Sequence, residues 1–315
     1  MRKGVIESIY HNFKLKCLNS YGFVFPEYIS EFANQLKKCK QDSHILVAGQ
    51  NGSGKSMLAL SLAKLINKNF NWNRNILYAY HRTSDFIDRI ESCKHDVLVV
   101  DEMTRYLHYR EFQKSANSKL MQYIEISRAN EVSYVACARA YKKLDLNYRQ
   151  GKVAVVCWMI DWKKESDALG KSVAAVFAAP PIVESQSRFD IDCLSDAHNF
   201  NELRYLAESR SSFCGYLFLD DVHNYITNEE LKAYEDQKQQ GITASMEQFK
   251  EIILNKEAKD EGRKTDAQQE REKSIIERKI EKEKEYNEWL RIKKGKRIKE
   301  GGVSESKEST EEIEL

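Results

Sequence analysis

The 315-residue sequence predicts an α/β fold with a mostly parallel central sheet that is covered by helices on both faces. Three observations lead to this prediction. Strand-like apolar runs alternate with helical patterns, the runs are apolar at consecutive positions, and one run enters a glycine-rich loop that opens a helix. Consecutive apolar positions indicate strands that are buried on both faces, as in parallel sheets flanked by helices.

The predicted core comprises residues 41–195, and its elements follow one another in a regular order. An N-terminal extension, residues 1–40, precedes the core and contains a helical pattern. A polar stretch joins the last two strand-like runs, so we expect those two runs to form an antiparallel edge of the sheet. The strand-like runs are residues 44–48, 75–80, 97–100, 132–137, 153–160 and 172–179, and the helical patterns between them are residues 56–66, 85–92 and 117–128.

Two further regions follow the core. Residues 196–240 predict a small helical region, and we expect its second helix to end at Gly241. Residues 241–315 hold 18 of the 50 Lys and Arg residues and 19 of the 48 Asp and Glu residues, which predicts a charged tail that is partly helical or disordered. Six basic residues lie within residues 291–299, where they could contact a phosphate backbone or form a solvated segment.

The overall composition excludes several classes of protein. The formal net charge is only +2, so no global charge imbalance indicates nucleic-acid binding. The seven Cys residues occur singly, without a Cys-x-x-Cys pair, which indicates a reducing cytosol. The sequence shows neither a signal-peptide core nor a run that approaches the ~20 apolar residues of a membrane span. We therefore expect a cytoplasmic protein.

The glycine-rich loop after the first strand fits a phosphate-binding pattern. Residues 49–56 read Gly-Gln-Asn-Gly-Ser-Gly-Lys-Ser, which has the Gly-x-x-x-x-Gly-Lys-Ser spacing of the Walker A motif. Glycines let successive backbone N–H groups point inwards, and the following helix adds the partial positive charge of its N-terminus. We expect ATP to contact Gly49, Gln50, Asn51, Gly52, Ser53, Gly54, Lys55, Ser56 and Met57.

Side chains with predicted chemical roles lie in this loop and at the end of the third strand-like run. Lys55 is expected to reach the β- and γ-phosphates, and the Ser56 hydroxyl to ligate Mg²⁺. Asp101 would hold Mg²⁺ through water at the carboxyl end of its strand, while the adjacent Glu102 would polarise the attacking water. The alternative is a strand that simply ends in two solvated acids. The adjacent glutamate favours hydrolysis over phosphoryl transfer to a small acceptor.

The order of the strands adds to this interpretation. The run at residues 75–80 is expected to intervene between the strands of the two motifs. This arrangement is typical of the P-loop ATPases with an additional strand and a catalytic glutamate. In that class, the strand before the glycine-rich loop and the strand that ends in the acidic pair are not neighbours.

Motifs beyond Asp101 resemble those of one group of motor ATPases. Residues 117–120 read Asn-Ser-Lys-Leu, residues 127–130 read Ser-Arg-Ala-Asn, and residues 144–149 read Leu-Asp-Leu-Asn-Tyr-Arg. Together with the strand that ends in Asp-Glu, this order resembles the FtsK/HerA-type P-loop motor ATPases, especially the zonular-occludens-toxin-like and viral genome-packaging ATPases. The resemblance covers residues 45–161 and implies a RecA-like ATPase core.

The resemblance also implies partners and further site residues. Proteins of this group form ring-shaped oligomers, usually hexamers, that move DNA with ATP in viruses and mobile elements. Double-stranded DNA is therefore the expected partner, and a viral member would work in the host cytoplasm. Members commonly carry a Gln that senses the γ-phosphate; this sequence has Arg139 there, which could contact phosphate as a cation or form a surface ion pair. Arg128 and Arg149 are the candidates for an arginine that reaches a neighbouring subunit's γ-phosphate.

The sequence leaves other functions open. The chain could be an ATP-dependent switch or assembly protein that controls a protein partner through its tail and has no DNA substrate. A third interpretation is a membrane-morphogenesis ATPase, because the toxin-like group includes filamentous-phage assembly proteins; the lack of a membrane span in the sequence disfavours it.

Overall fold

A computed structural model describes residues 2–108, 115–160, 173–179, 189, 191–196, 200–221 and 224–261, together with positions 274, 277, 278, 281 and 284. The chain divides into two compact units, Met1–Ser245 and Met246–Leu315. In the second unit every described residue is helical. The basic cluster at residues 291–299 and the end of the predicted tail lie outside the described residues.

The first unit is built on one sheet, to which the described residues contribute seven strands in the order β2-β3-β4-β1-β5-β6-β7. The strands from β2 to β5 in this order are parallel, and β6 and β7 are antiparallel to their neighbours. Their bounds are β1 (Ser43–Ala48), β2 (Ile76–Leu77), β3 (Val97–Val100), β4 (Ser133–Ala138), β5 (Val153–Ile160), β6 (Val173–Ala178) and β7 (Phe213–Phe218). The predicted mostly parallel sheet is confirmed.

Helices cover both faces of this sheet, as predicted. In β1, Ile45 and Val47 belong to one hydrophobic core cluster, whereas Leu46 and Ala48 belong to the other, because neighbouring residues of a strand point to opposite faces. Residues of α1, α2 and α3 pack in the first cluster, and residues of α4 and α5 in the second. The helices are α1 (Arg2–Asn19), α2 (Pro26–Lys38), α3 (Lys55–Ile66), α4 (Thr83–Ser92), α5 (Ser115–Ile126), α6 (Phe200–Glu208) and α7 (Asn228–Glu261).

The strands of the two predicted motifs are separated by a different strand from the one expected. The predicted strand at residues 75–80 is only Ile76–Leu77 in the structure and lies at the sheet edge, next to β3. The chain turns at Tyr78, whose carbonyl accepts a hydrogen bond from the His81 backbone N–H at 3.0 Å. Instead, β4 pairs with both β1 and β3 and so lies between them. The additional-strand arrangement is present, and β4 is the strand that lies between the two motif strands.

The predicted small helical region at residues 196–240 is corrected by the structure, because it contains β7. This strand extends the sheet beyond β6, so the segment adds to the core rather than forming a helical unit. The N-terminal extension also packs onto the core: the Tyr216 backbone N–H donates to the Gly22 carbonyl at 2.8 Å, and the Val24 N–H donates to the Tyr216 carbonyl at 2.9 Å. These bonds cover part of the outer edge of β7.

The predicted helix end at Gly241 is also wrong, because α7 continues through this residue. A Cβ atom at position 241 would lie 2.1 Å from the ring of Tyr80. The glycine therefore allows close approach between the helix and an aromatic side chain, and it does not terminate the helix. Within the described part of the chain, no helix combines the length and apolar character that a membrane crossing needs.

Candidate nucleotide-binding site

The predicted phosphate-binding loop connects the carboxyl end of β1 to the first turn of α3. Gly54 immediately precedes α3 and adopts a left-handed conformation with φ of 86°, which disfavours residues that carry a Cβ. The Ser53 hydroxyl donates to the Gln50 carbonyl at 2.8 Å and closes the loop on itself. The first N–H groups of a helix have no partner within the helix, so those of α3 can bind phosphate oxygens next to the loop.

Asp101 lies beside this loop, at the carboxyl end of β3. The Ser56 hydroxyl donates to its Oδ1 atom at 3.4 Å, so the two predicted metal-binding side chains are brought together. The Asp101 carboxylate is buried, and its Oδ2 atom has no hydrogen-bond partner among the described residues. An unpartnered buried carboxylate oxygen next to a serine hydroxyl fits the oxygen ligands that Mg²⁺ prefers.

Glu102 is paired with Arg139, which follows β4. Arg139 Nε lies 3.2 Å from Glu102 Oε2, and the Thr104 hydroxyl donates to Glu102 Oε1. The pairing is possible because β3 and β4 are neighbours, so both strand ends reach the same edge of the sheet. The position predicted to sense the γ-phosphate therefore lies at the site, next to the predicted catalytic glutamate.

Basic and acidic side chains gather around Lys55. Burial lowers the pKa of its ammonium; Cys137 and Glu102 oppose this shift, while Arg139 and Lys238 act in the same direction as burial. Lys55 donates to the Gln50 carbonyl and so lies over its own loop. A nucleotide brings several negative charges, which favour the protonated form of this lysine and neutralise the neighbouring cations.

Helix α7 contributes site residues that the sequence interpretation missed. Lys238 Nζ lies 2.8 Å from Asp101 Oδ1, and the Tyr234 hydroxyl donates to the same oxygen. These residues are four apart on a helix, so they share one face. This spacing was the only signal in the sequence, and it does not distinguish a site residue from an ordinary helical surface residue.

The two arginines predicted to act on a neighbouring subunit have different surroundings. The Arg128 side chain is 51% exposed, and its Nε atom lies 4.0 Å from the carboxylate of Asp42. Its guanidinium also donates to Gln41. Both partners precede β1, at the end of the strand opposite the loop. The Arg149 side chain is only 11% exposed; its guanidinium donates to the Leu144 carbonyl at 3.1 Å and to Asp192 at 3.0 Å. Burial of the Arg149 guanidinium within its own chain does not suit a role on a neighbouring subunit, so Arg128 is the better candidate.

A family model described as RNA helicase matches residues 45–145. The matched range contains the phosphate-binding loop, Asp101, Glu102 and Arg139, which are the residues that the structure brings to one edge of the sheet. The chain therefore has a P-loop ATPase core. No protein of curated function matches the chain.

Several solved structures are similar to part of this chain. One is the N-terminal domain of zonular occludens toxin from Neisseria meningitidis, which is 15% identical with a TM-score of 0.32, over 45% of this chain and 87% of that one. Another is the genome-packaging NTPase B204 from Sulfolobus turreted icosahedral virus 2 in complex with ATP-gammaS. It is 12% identical with a TM-score of 0.31, over 44% of this chain and 92% of that one. The AAA domain of FIGL-1 is 15% identical with a TM-score of 0.28, over 37% and 42% of the two chains.

Proposed function

We propose that this chain is an oligomeric motor of a virus or mobile element that hydrolyses ATP to translocate or package DNA. The observation that carries the hydrolytic part is the position of Glu102, directly after Asp101 and beside Arg139, at the open edge of the phosphate-binding loop. A carboxylate at this place can orient a water molecule towards the γ-phosphate. The proposed location is the cytoplasm, or the host cytoplasm for a viral protein.

The proposed mechanism begins with nucleotide binding. The N–H groups of the loop and the first turn of α3 bind the phosphates, and Lys55 neutralises charge on the β- and γ-phosphates. Ser56 and Asp101 would hold Mg²⁺, which neutralises the negative charge that develops on the phosphate oxygens when it is bound. The unpartnered Oδ2 atom of Asp101 supports this assignment.

For hydrolysis, the ion pair between Glu102 and Arg139 must break, so that the Glu102 carboxylate can bind a water molecule. Glu102 then accepts a proton from this water as the water oxygen attacks the γ-phosphorus and the bond to the bridging oxygen of ADP breaks. The γ-phosphate attracts the Arg139 guanidinium, which leaves the Glu102 carboxylate available. The side chain at position 139 thus acts as a sensor that links the arrival of ATP to the release of the glutamate.

The oligomeric part of the proposal rests on Arg128. Its guanidinium is half exposed at the amino-terminal end of the strands, whereas the phosphate-binding loop lies at their carboxyl end. In a head-to-tail ring, Arg128 would therefore face the loop of a neighbouring subunit. A cation supplied by a neighbour neutralises charge in the transition state and couples hydrolysis in one subunit to the position of the next.

DNA is proposed as the substrate because the motifs between residues 101 and 149 resemble those of DNA-translocating ATPases. The test is steady-state ATP hydrolysis with double-stranded DNA, single-stranded DNA or RNA, with Lys55→Ala as the blank. Stimulation by double-stranded DNA of several fold, absent in Lys55→Ala, is the expected result. The RNA arm is included because the matching family model is described as RNA helicase; stimulation by RNA alone would replace DNA by RNA as the substrate.

The second candidate is an ATP-dependent switch that acts on a protein partner. The observation that favours it is the contact of Lys238 and Tyr234 with Asp101, which links the nucleotide site to α7. Clear hydrolysis that responds to neither DNA nor RNA would support the switch and argue against the motor.

A further inference from the structure

Three hydrogen-bond donors converge on the Oδ1 atom of Asp101. Ser56 supplies one donor, and α7 supplies two more through Tyr234 and Lys238. The Asp101 side chain is 1% exposed, while the Lys238 side chain is 32% exposed. A lysine ammonium therefore reaches from a half-buried position onto a fully buried carboxylate.

The position of Lys238 is set by several contacts along α7. Tyr234 stacks on Tyr78, with ring centroids 5.5 Å apart, and the Tyr78 hydroxyl donates to Gln237 Oε1 at 2.9 Å. Closer to the start of α7, Lys64 of α3 donates to both carboxylate oxygens of Glu230, at 2.7 and 2.8 Å. The helix is thereby fixed both to the end of β2 and to the helix that follows the phosphate-binding loop.

An Asp101 carboxylate that is paired with an ammonium is a weaker acceptor for the water molecules of a bound Mg²⁺, because the ammonium already neutralises part of its negative charge. The ammonium and a Mg²⁺ held beside the same carboxylate would also repel each other in this partly buried site. Mg²⁺ also demands a near-ideal arrangement of oxygens and tolerates little displacement by other donors. The ammonium of Lys238 thus contacts the same Asp101 oxygen to which the Ser56 hydroxyl donates, next to the predicted Mg²⁺ site.

We propose that Lys238 is a positioning residue that holds Asp101 through its Oδ1 atom and competes with Mg²⁺ for the Asp101 carboxylate. Binding of Mg²⁺ with ATP releases Lys238 and loosens residues 228–245 of α7 from the site. The nucleotide state therefore controls this helix. The inference rests on the magnesium site proposed at Ser56 and Asp101 and is independent of whether the motor acts on DNA.

The first test is a Mg²⁺ titration of the binding of a fluorescent, non-hydrolysable ATP analogue to the full chain. Lys238→Met removes the charge and keeps most of the side-chain length, so the half-saturating Mg²⁺ concentration should fall about tenfold. Lys238→Arg keeps a cation that can pair with Asp101 and should stay close to the wild type. Lys232→Met is the matched control, because Lys232 is an exposed lysine of the same helix.

The outcomes of this titration separate the two proposals. A half-saturating Mg²⁺ concentration in Lys238→Met that equals or exceeds that of the wild type, with Mg²⁺-dependent binding in both, would overturn the competition. Wild-type binding that does not depend on Mg²⁺ would instead overturn the magnesium site itself. An equal decrease in Lys232→Met would show that the loss of any positive charge on α7 causes the effect, and this outcome would also overturn the inference.

A second test uses the wild-type chain and does not depend on whether a variant folds. Amide hydrogen exchange is measured across residues 228–245 with no ligand, with Mg²⁺ alone, and with Mg²⁺ and ATPγS. Exchange should become several fold faster only when Mg²⁺ and nucleotide are both present, whereas the amides of α3 should become slower. Unchanged or slower exchange in residues 228–245 with both ligands would contradict the release of α7.

Discussion

The guanidinium of Arg139 lies 3.2 Å from the carboxylate of Glu102, so the position predicted to sense phosphate is paired with the predicted catalytic base. In the proposed mechanism this pairing keeps Glu102 from orienting water until ATP arrives. Two competing anions, the Glu102 carboxylate and the γ-phosphate, can then share one cation at different stages of the cycle. The proposed mechanism therefore gives Arg139 two successive partners.

Replacement of Arg139 should weaken the discrimination between ATP and ADP. In Arg139→Ala we expect the ratio of ADP to ATP dissociation constants to fall about tenfold, because a charge-assisted contact with the γ-phosphate is lost. Competition binding with a fluorescent nucleotide measures both constants. Arg139→Lys is the control that keeps the charge, and it should retain part of the preference. A ratio that stays at the wild-type value in Arg139→Ala would show that the arginine only pairs with Glu102.

Glu102→Gln should separate binding from turnover. The amide keeps the shape and the hydrogen-bond acceptor but cannot take up a proton, so the hydrolysis rate should fall about 100-fold or more with little change in ATP affinity. Single-turnover phosphate release measures the chemical step directly. Glu125→Gln, at an exposed position of α5, is the matched control and should behave as the wild type. Wild-type rates in Glu102→Gln would remove Glu102 from the role of base.

Lys55→Ala should abolish tight nucleotide binding. The ammonium is the side-chain cation of the phosphate-binding loop, and its loss should weaken ATP binding roughly 100-fold. Equilibrium binding of a fluorescent ATP analogue tests this directly, and Lys64→Ala serves as a comparison, because Lys64 pairs with Glu230 away from the loop. Equal losses in both variants would indicate that α7 docking, and not phosphate contact, governs nucleotide affinity.

The parts of the site that are contiguous in sequence could be predicted, and the parts that depend on tertiary packing could not. The loop, Ser56 and Asp101 follow from local spacing, because a glycine-rich turn between a strand and a helix has few alternatives. Lys238 lies 137 residues from Asp101, and no local pattern marks it as a site residue. For the same reason the surroundings of Arg149 could not be predicted: its motif is visible in the sequence, but its contact with Asp192, 43 residues away, is not.

The two interface candidates should differ in a mixing experiment. Arg128→Ala should lower ATP turnover at least about tenfold, and addition of Lys55→Ala subunits should restore part of it, because an intact loop then faces an intact Arg128 on the neighbour. Turnover is measured over a series of mixing ratios at constant total protein. No recovery at any ratio would remove Arg128 from the trans position.

Arg149→Ala should instead destabilise the fold of its own subunit. Removal of this buried guanidinium breaks its hydrogen bonds to the Leu144 carbonyl and to Asp192, so the free energy of unfolding should fall by about 2–4 kcal/mol in denaturant titrations. Addition of Lys55→Ala subunits should give no recovery of turnover. Recovery on mixing, with unchanged stability, would return the trans role to Arg149.

Gly241 provides a test of how closely α7 packs on the end of β2. In an ordinary helix, replacement of glycine by alanine increases stability by about 1 kcal/mol. Gly4→Ala in α1 should show this gain, because nothing lies within 4 Å of a Cβ atom built there. Gly241→Ala should not, since its Cβ would meet the Tyr80 ring and displace a side chain that stacks on Tyr78 at 5.3 Å.

Denaturant titrations of Gly241→Ala, Tyr80→Ala and the double variant measure the coupling. Truncation of Tyr80 removes the clash, so Gly241→Ala should become stabilising in that background, with a coupling energy of about 1 kcal/mol or more. An equal gain from Gly241→Ala in both backgrounds would mean that α7 does not rest on Tyr80. In that case the packing of α7 near Lys238 would rest on the contacts of Tyr234 and Gln237 with Tyr78.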